Sequence, residues 1–546
     1  MKILKKCIVE KYFITTVVKY AFALGVTFFA YASVQRKGYL IAGCLELAII
    51  FLVSNLMLLK SKKLGWVLNS LLLTLYNIQM GVLVFGNSYI TLIMLDNIPS
   101  LDGLSGKIVL YGMAAALVLI IGGLPVCCFR GVKGFSNWYC PLSFVLCMEL
   151  VFTMMFGANF SPMYGYASLL IQQYQKIRLE RSIVTNANDT DIVQKFYKEE
   201  VLGYREKDKN LCKDPNVILI FTEGLSQHIV EDDRALMPNI SNYEKKSLLF
   251  DNYYNHTFAT YCGLISQLYS GYQLSNLDNN PLVSIQSILE DVGYKTSFIN
   301  TEPKNKDFSN YLKELGFQTV IGDTAYVSNG SADSISDKDA YELLYETALE
   351  QHQEEKPFFT AIYTYGTHTS FDSPNEKYGD GQNAMLNKYY NLDFQFGKFM
   401  EKFEASELAK DTIVVFTTDH ATYTDDSYKK TFPEETRATT TLDEIPFFIY
   451  YKGIEPEIID VSGRNTVCLA PTILDYLDLS APNYFVGSSL FATQANTINE
   501  TSYYDLDARY TSKNCSVSLM APEEQASFEE QVWGYFALKE AIQNKK

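Results

Sequence analysis

Long apolar stretches fill the first 160 residues of the chain and do not recur after them. A membrane-spanning helix needs about 20 consecutive, mostly apolar residues. Five stretches meet that requirement, namely Phe13–Val34, Tyr39–Leu59, Trp66–Phe85, Ile108–Phe129 and Tyr139–Ala158. A shorter stretch, Tyr89–Leu95, predicts a re-entrant or interfacial piece. The pattern therefore predicts an N-terminal bundle of about five transmembrane helices over residues 1–160, with the first helix retained as an anchor.

The basic residues around these stretches predict how the bundle is oriented. One side of the predicted bundle carries Lys2, Lys5, Lys6, Lys11, Lys60, Lys62, Lys63, Arg130 and Lys133, and the other side carries Arg36, Lys37 and Lys107. Basic residues near span ends favour the cytoplasm. The N-terminus is thus predicted to be cytoplasmic, and an odd number of spans makes the C-terminal half extracytoplasmic. Lys19, inside the first span, is expected to extend its ammonium group to the interface.

From Pro215 onward, short apolar runs alternate with helical patterns. Val217–Phe221 has no polar position, which is typical of a strand buried on both faces in a parallel sheet. Similar runs occur at Lys295–Ile299, Phe358–Tyr363, Thr412–Phe416 and Ile445–Tyr450, with helical patterns at Ala340–Gln351 and Leu386–Phe403. The alternation predicts an α/β doubly wound domain. We place this domain at 214–500, after a juxtamembrane helical linker at 161–213 and before a C-terminal extension at 501–546.

Metal-binding residue types follow three of the predicted strands. Glu223 comes just after the first strand, His368 after the strand at 358–363, and Asp419 with His420 after the strand at 412–416. Ligands of doubly wound sheets bind at the carboxyl ends of the strands. Carboxylates and imidazoles together suit Zn²⁺ or Mn²⁺. The alternative is that each of these residues is an unrelated surface-loop position.

Thr260 lies where a loop runs into a predicted helix, between the first strand and the later ones. Free N–H groups at a helix N-terminus favour a phosphate, and coordination to a divalent metal favours the alkoxide of a threonine. Considered alone, a threonine at the start of a helix, such as Thr260, is more often a helix cap than a nucleophile. Beside the candidate metal ligands, it becomes a candidate nucleophile.

The net charge and the cysteine spacing exclude some classes of partner and of metal site. The chain has a net charge of −16, carried mostly by its second part, and shows no basic stripe, which argues against nucleic acid as a partner. Four cysteines, Cys212, Cys262, Cys468 and Cys515, fall outside the apolar region. They lack CxxC spacing, which argues against a zinc knuckle. One or two disulfide bonds among these four cysteines are compatible with the sequence, which does not give their pairing.

The motifs resemble the sulfatase-like branch of the alkaline phosphatase superfamily. The similar segments are NVILIFTEGLS (216–226), MPNI (237–240), FDNYYNHTFATYCGLISQLYSG (250–271), VVFTTDHA (414–421) and LAPTILDYLDLSAPNYFVGSSLF (469–491). Together they span roughly residues 214–492 in the order of that family. Five spans followed by an outer catalytic domain resemble the layout of lipoteichoic acid synthases and phosphoethanolamine transferases.

The resemblance implies a role for each candidate residue. Glu223, Asp419 and His420 match metal ligands, together with Thr260, which also matches the nucleophile that carries a covalent phospho-intermediate. His368 matches a histidine that contacts the substrate phosphate or the leaving group. Thr257 is the rival nucleophile. Thr260 is preferred because it directly precedes the helical run that ends in LYSG.

Three departures from relatives in the superfamily shape the expected activity. Cys262 is followed by Gly-Leu-Ile, so the C/S-x-P-x-R motif of true sulfatases does not occur there. No histidine closely follows the Asp419–His420 pair, as one does in phosphoethanolamine transferases. Asn300-Thr301-Glu302 stands where lipoteichoic acid synthases carry a substrate histidine. These features favour a single-metal transferase that modifies a surface glycan over a sulfatase or a polymerase.

The expected function is a membrane-anchored, metal-dependent phosphoglycerol transferase. Its donor would be a phospholipid, phosphatidylglycerol, and its acceptor a cell-surface glycan or glycolipid. One divalent metal is implied, with Mn²⁺ as the first candidate and Mg²⁺ or Zn²⁺ as alternatives. Three other functions stay open: phosphoethanolamine transfer, hydrolysis by a sulfatase-like phosphodiesterase, and a non-catalytic sensor or assembly subunit that keeps the fold.

Overall fold

A computed structural model of the protein divides the chain into two compact units, Met1–Lys176 and Ile177–Lys546. The structure describes residues 12–34, 36–86, 88–96, 108–129, 138–186, 191–274, 279–322, 334–354, 356–368, 371–435, 437–504 and 509–545. The basic residues at 2, 5, 6, 11, 107, 130 and 133 lie outside these ranges, so the orientation drawn from them stays a prediction.

The N-terminal unit is helical, as its apolar pattern predicts. Its helices, with the one that follows them, are α1 (Phe13–Val34), α2 (Lys37–Lys60), α3 (Lys62–Gly86), α4 (Leu92–Asp96), α5 (Ile108–Gly123), α6 (Tyr139–Phe156) and α7 (Pro162–Asn186). Among the described residues, four of these helices, α1, α2, α3 and α6, are long and apolar enough to cross a membrane. The chain is therefore a membrane protein with its α/β domain on the C-terminal side of the spans.

The fourth predicted span, Ile108–Phe129, is shorter than the pattern indicated. Helix α5 has 16 residues and ends at Gly123, and the chain is not helical from Leu124 to Phe129. Pro125 accounts for the end, because it lacks an N–H group and disfavours helical geometry at the residue before it. Lys19 does not extend outward as expected. It is fully buried, and its Nζ donates to the carbonyl oxygens of Gly122 at 2.7 Å and Leu124 at 2.9 Å.

The C-terminal unit is built on two sheets with helices around them. Its strands are β1 (Asn216–Thr222), β2 (Leu248–Asp251), β3 (Lys295–Ile299), β4 (Thr319–Ile321), β5 (Phe358–Thr364), β6 (Thr412–Thr418), β7 (Phe448–Tyr450), β8 (Glu457–Asp460), β9 (Ser502–Tyr504), β10 (Arg509–Thr511) and β11 (Ser518–Leu519). Its helices are α8 (Ile192–Phe196), α9 (Gln227–Val230), α10 (Pro238–Glu244), α11 (Thr260–Leu268), α12 (Ile285–Asp291), α13 (Lys306–Glu314), α14 (Asp337–His352), α15 (Ala384–Ala405), α16 (Asp426–Thr431), α17 (Leu469–Tyr476) and α18 (Pro522–Gln543).

The main sheet has eight strands in the order β4-β3-β5-β1-β6-β7-β2-β8. All paired neighbours are parallel except β7, which runs antiparallel to both β6 and β2. The five apolar runs identified in the sequence are β1, β3, β5, β6 and β7, so the predicted α/β sheet is confirmed. The prediction missed β2, β4 and β8, which are short and partly exposed and therefore lack an uninterrupted apolar signal.

Side chains of the central strand alternate between two buried cores. Val217, Leu219 and Phe221 pack on one face of the sheet, and Ile218 and Ile220 pack on the other. Helix α18, in the predicted C-terminal extension, contributes Phe528, Val532 and Tyr535 to the first of these cores. Burial on both faces explains why β1 has no polar position between Val217 and Phe221.

Replacing Phe416 by alanine is expected to destabilise the C-terminal unit. The Phe416 ring is fully buried, stacks on Phe448 with ring centroids 5.0 Å apart and meets the edge of Phe396 at 5.1 Å. Removing a buried phenyl group costs about 3–5 kcal/mol. Thermal unfolding of the purified protein should show a clearly lower melting temperature, whereas Leu519→Ala, at a side chain that is 67% exposed, should leave it unchanged. Equal melting temperatures for both variants would contradict the packing described here.

Candidate metal centre

The three central strands of the main sheet end level with one another. Thr222 at the end of β1 pairs in register with Thr364 of β5 and with Thr418 of β6. The residues that follow these strands therefore emerge together at the carboxyl edge of the sheet. Glu223 and Asp419 occupy the first position after β1 and β6, so the topology alone brings two carboxylates to adjacent turns.

Glu223, Asp419 and His420 form one buried cluster whose candidate ligand atoms all lie within 4.8 Å of one another. The Nε2 atom of His420 is 3.6 Å from Glu223 Oε1 and 3.4 Å from Asp419 Oδ2. Asp419 Oδ2 is buried and has no hydrogen-bond donor within the described part of the chain. A buried carboxylate oxygen without a donor is costly unless a cation compensates its charge. The donor set therefore fits a divalent metal ion.

Hydrogen bonds hold each ligand in this geometry. Asp419 Oδ1 accepts from the backbone N–H groups of Gly224, at 2.9 Å, and His420, at 2.7 Å, which leaves Oδ2 for the cluster. The Nδ1 atom of His420 donates to the Ala421 carbonyl oxygen at 2.8 Å. That bond fixes the tautomer with an unprotonated Nε2, the form in which an imidazole binds a metal.

The pKa values in the cluster reflect its uncompensated charge. Burial raises the pKa of Asp419 to about 7, against the attraction of His420 and with added repulsion from Glu223. Burial would also raise the pKa of Glu223, but His420, His368 and a hydrogen bond from Tyr363 bring it below its usual value. The two carboxylates in turn raise the pKa of His420 despite its burial. A divalent cation would relieve the repulsion between the carboxylates and displace these protons.

Thr260 is the first residue of α11, and its hydroxyl group points at the cluster. Its Oγ1 donates to Glu223 Oε2 at 3.2 Å. The N-cap position of the helix is Ala259, so Thr260 does not have the helix-cap role that it would more often have when considered alone. Thr257 lies in the preceding loop, where its carbonyl oxygen accepts from Asn255 Nδ2 at 2.8 Å. No hydrogen bond among the described residues joins the Thr257 side chain to the cluster. The contacts of Thr260 favour it as the nucleophile, which stays a prediction.

His368 follows β5 and lies half-buried beside the cluster. Its ring stacks on Tyr365 with a centroid distance of 4.8 Å, and burial lowers its pKa. The neighbouring Thr367 donates from Oγ1 to the Glu223 carbonyl oxygen at 2.5 Å, which ties this loop to the first metal-ligand turn. The arrangement suits a neutral imidazole beside the reacting group, and substrate contact by His368 stays a prediction.

Two residues of the site escaped the sequence analysis. Tyr363, within β5, donates its hydroxyl to Glu223 Oε2 and lies 3.5 Å from Thr260 Oγ1. Gly263, in α11, lies so close to the Asp419 backbone that a Cβ atom would stand 2.2 Å from its carbonyl oxygen. Tyr363 looks like one more apolar strand residue, and Gly263 like one more helix position. Only the chain packing reveals their roles.

Residues 215–479 match the sulfatase family model. The C-terminal unit carries a sulfatase-family domain. The matched segment contains Glu223, Thr260, His368, Asp419 and His420, so the candidate metal cluster lies within an enzyme domain of the sulfatase type.

The chain is similar to solved structures of proteins from three organisms. A protein of the alkaline phosphatase superfamily from Vibrio parahaemolyticus is 18% identical, with a TM-score of 0.52 over 68% of this chain and 96% of its own. The lipoteichoic acid synthase LtaP from Listeria monocytogenes is 16% identical, with a TM-score of 0.47 over 66% of this chain and 96% of its own. The phosphoethanolamine transferase EptA from Neisseria meningitidis is 13% identical, with a TM-score of 0.46 over 83% of this chain and 95% of its own.

Three of the four cysteines outside the apolar region form no disulfide bond within the described part of the chain. Cys212, Cys468 and Cys515 are free thiols, of which Cys468 is buried and the other two are exposed. Cys262 is half-buried in α11, two residues after Thr260.

Binding of Mn²⁺ is expected to weaken as the pH falls through about 7, because Asp419 has a pKa raised to about 7 and His420 also has a raised pKa. Both must be deprotonated to bind the ion, so protons compete with it below that pH. Calorimetric titration of the full-length protein in detergent, on either side of that pH, measures the change. The Asp419→Asn variant should bind weakly at both values. An affinity for Mn²⁺ that does not depend on pH in the wild-type protein would contradict the assignment.

The variant Gly263→Ala is expected to weaken Mn²⁺ binding by about tenfold or more, the scale found for partners that orient metal ligands. The added methyl group must displace the Asp419 backbone. The matched control is Gly81→Ala, in α3, where a Cβ atom meets no heavy atom within 4 Å. Gly81→Ala should keep the wild-type melting temperature in the absence of metal, whereas Gly263→Ala should lose about 1–3 kcal/mol of stability through overpacking of a buried contact. Unchanged Mn²⁺ affinity in the Gly263 variant would contradict the role of this contact in positioning Asp419.

Proposed function

We propose that the protein transfers glycerol phosphate from phosphatidylglycerol, through a phosphothreonine intermediate on Thr260, to a cell-surface glycan or glycolipid. The observation that carries the proposal is the Thr260 hydroxyl group, 3.2 Å from a carboxylate of the candidate metal cluster. A hydroxyl group in that position, at the start of a helix, is equipped to attack an electrophilic phosphorus atom.

The proposed reaction has two steps. In the first, Thr260 Oγ1 bonds to the phosphorus atom of the lipid, the bond from phosphorus to the diacylglycerol oxygen breaks, and that oxygen takes up a proton. In the second, an acceptor hydroxyl group attacks the phosphothreonine and Thr260 regains its proton. Glu223 Oε2 accepts the Thr260 hydrogen bond, and Tyr363 donates to the same oxygen, so the proton that leaves Thr260 has an acceptor nearby. A divalent metal, when bound, lowers the pKa of the hydroxyl group and stabilises charge on the phosphoryl oxygens.

The metal would be held by Glu223, Asp419, His420 and Thr260. Mn²⁺ is proposed first because two of these four ligands are carboxylates, which suit Mn²⁺, and one is an imidazole. His368 would contact the phosphoryl group or the leaving group from the β5 side. A threonine cannot yield the formylglycine of true sulfatases, and Cys262 lacks the motif for that modification. The nucleophile therefore favours phosphoryl transfer over cleavage of sulfate esters.

The membrane spans support a lipid donor. A catalytic domain tethered by transmembrane helices works beside phospholipid head groups, and cleavage of the lipid phosphodiester supplies the driving force without ATP. We propose a multi-pass protein of the cell membrane with a cytoplasmic N-terminus and an extracytoplasmic catalytic domain, on the basis of the basic residues around the spans.

Intact-mass analysis of the full-length protein tests the proposal. Detergent-solubilised protein with Mn²⁺ and phosphatidylglycerol should gain the mass of one phosphoglycerol group, which peptide mapping should place on Thr260. The Thr260→Ala variant should gain nothing, because it has no nucleophile. The Thr257→Ala variant is the matched control and should form the adduct normally.

Other outcomes assign other functions. An adduct formed from phosphatidylethanolamine but not from phosphatidylglycerol would replace the proposal with phosphoethanolamine transfer. If water releases the adduct as free glycerol phosphate even in the presence of glycan acceptors, the protein is a hydrolase. An adduct in the Thr260→Ala variant that disappears in Thr257→Ala would overturn the choice of nucleophile.

A further inference from the structure

A buried lysine lies next to the candidate metal centre and forms no ion pair with an acid in the described part of the chain. Lys388, in the second turn of α15, is 2% exposed, and its Nζ donates to the backbone carbonyl oxygen of His368 at 3.2 Å. No carboxylate of the described residues comes within ion-pair distance of this ammonium group. The nearest ring contact is Tyr389, whose centroid is 5.6 Å away.

The position of α15 places this charge at the site. The next residue, Tyr389, donates its hydroxyl to the Gly224 carbonyl oxygen at 3.2 Å and lies 3.1 Å from Thr422 Oγ1. This turn of α15 therefore packs against both turns that carry the metal ligands. Lys388 reaches from it to the His368 loop, which bounds the same site at the end of β5.

A buried ammonium group without a carboxylate partner is costly to keep charged. Burial accordingly lowers the pKa of Lys388 to about 8, offset in part by the charges of Asp425 and Glu223. At neutral pH the group is still mostly protonated. A lysine held in this state is unfavourable for folding, and no carboxylate of the described residues lies close enough to form an ion pair with it, so its charge favours a bound anion.

The charges of the site identify that anion. Glu223 and Asp419 supply the two negative charges that balance one divalent cation, and Asp425 attracts the Lys388 ammonium group only from beyond ion-pair distance. A phosphodiester carries one negative charge. Of the three N–H groups of the ammonium, one is used by the His368 carbonyl oxygen, and the other two have no hydrogen-bond partner among the described residues.

We propose that Lys388 binds a non-bridging phosphoryl oxygen of the substrate, as a positive charge additional to the metal that the cluster would hold. The inference rests on the proposed function, because it concerns the same phosphoryl group. It adds a substrate-binding residue from α15, an element that supplies no metal ligand and no nucleophile. The binding is reversible and forms no covalent bond with the lysine.

Phosphate binding tests this inference without requiring turnover. Full-length protein in detergent, loaded with Mn²⁺, is titrated with inorganic phosphate by calorimetry. Lys388→Met, which keeps the length of the side chain and removes its charge, should weaken phosphate binding by about tenfold to a hundredfold, the range for a hydrogen bond to a charged group. Lys388→Arg should retain most of the affinity. Lys398→Met, at an exposed lysine of the same helix that pairs with Glu401, should bind like the wild type.

Mn²⁺ affinity and melting temperature distinguish this role from a purely structural one. A lysine that only anchored the His368 loop would, when replaced by methionine, lower the melting temperature and leave phosphate affinity unchanged. A phosphate-binding lysine instead leaves Mn²⁺ affinity unchanged and does not lower the melting temperature, because the buried charge has been removed. Phosphate affinity in Lys388→Met equal to that of the wild type would overturn the inference, as would a wild-type protein that binds no phosphate.

The transfer reaction separates the two proposals. Where the wild type binds phosphate through Lys388 but forms no phosphothreonine with either phospholipid, the proposed function fails and the inference about Lys388 stands. Where the wild type forms the adduct and Lys388→Met forms it at the same rate and with the same phosphate affinity, the inference fails and the proposed function stands.

Discussion

The fold holds two buried carboxylates, those of Glu223 and Asp419, close together despite their electrostatic repulsion, and the rest of the site is arranged around this pair. Glu223 and Asp419 follow strands that pair directly, and Thr222 and Thr418 end those strands in register. The Gly224 N–H and the His420 N–H both bind Asp419 Oδ1, so this carboxylate is fixed with its other oxygen turned toward Glu223 and His420. Two acids in this position are stable only with a proton or a cation between them. The metal site is a consequence of where the strands end.

The two ligand turns are joined by more than their shared strand pairing. Leu225 N donates to the His420 carbonyl oxygen at 3.2 Å, and Thr422 Oγ1 donates to the Gly224 carbonyl oxygen at 2.6 Å. Arg437 reaches both turns, because its guanidinium donates to the Thr422 carbonyl oxygen at 2.7 Å and to Ser226 Oγ at 3.0 Å. These bonds satisfy buried polar groups that the irregular turns would otherwise leave unpaired, and they fix the distance between the ligands before any ion binds.

Each element around the cluster contributes a different part of the proposed chemistry. Strands β1 and β6 position the acids and His420, α11 brings Thr260 to Glu223, and the loop after β5 brings His368. Helix α15 adds a cation, Lys388, opposite that loop. A phosphodiester entering such a site would meet a nucleophile and a positive charge on separate, rigid elements, which is the arrangement that orients a reacting group at low entropic cost. In the proposed function, the apolar helices would keep the enzyme in the membrane to which a lipid donor is confined.

The sequence by itself determined the two-part organisation of the chain, the strands buried on both faces and the residue types at their ends. These features are local: an apolar run long enough to span a bilayer or to fill a two-sided strand is visible without its partners. The antiparallel direction of β7 and the burial of Lys19 were decided by contacts between distant segments. Contacts between distant segments also decided the roles of Tyr363, Gly263 and Lys388. The sequence alone does not show which residues surround a buried tyrosine, a helical glycine or a helical lysine. Only the tertiary structure brings those side chains to one sheet edge, where charge and distance give them a function.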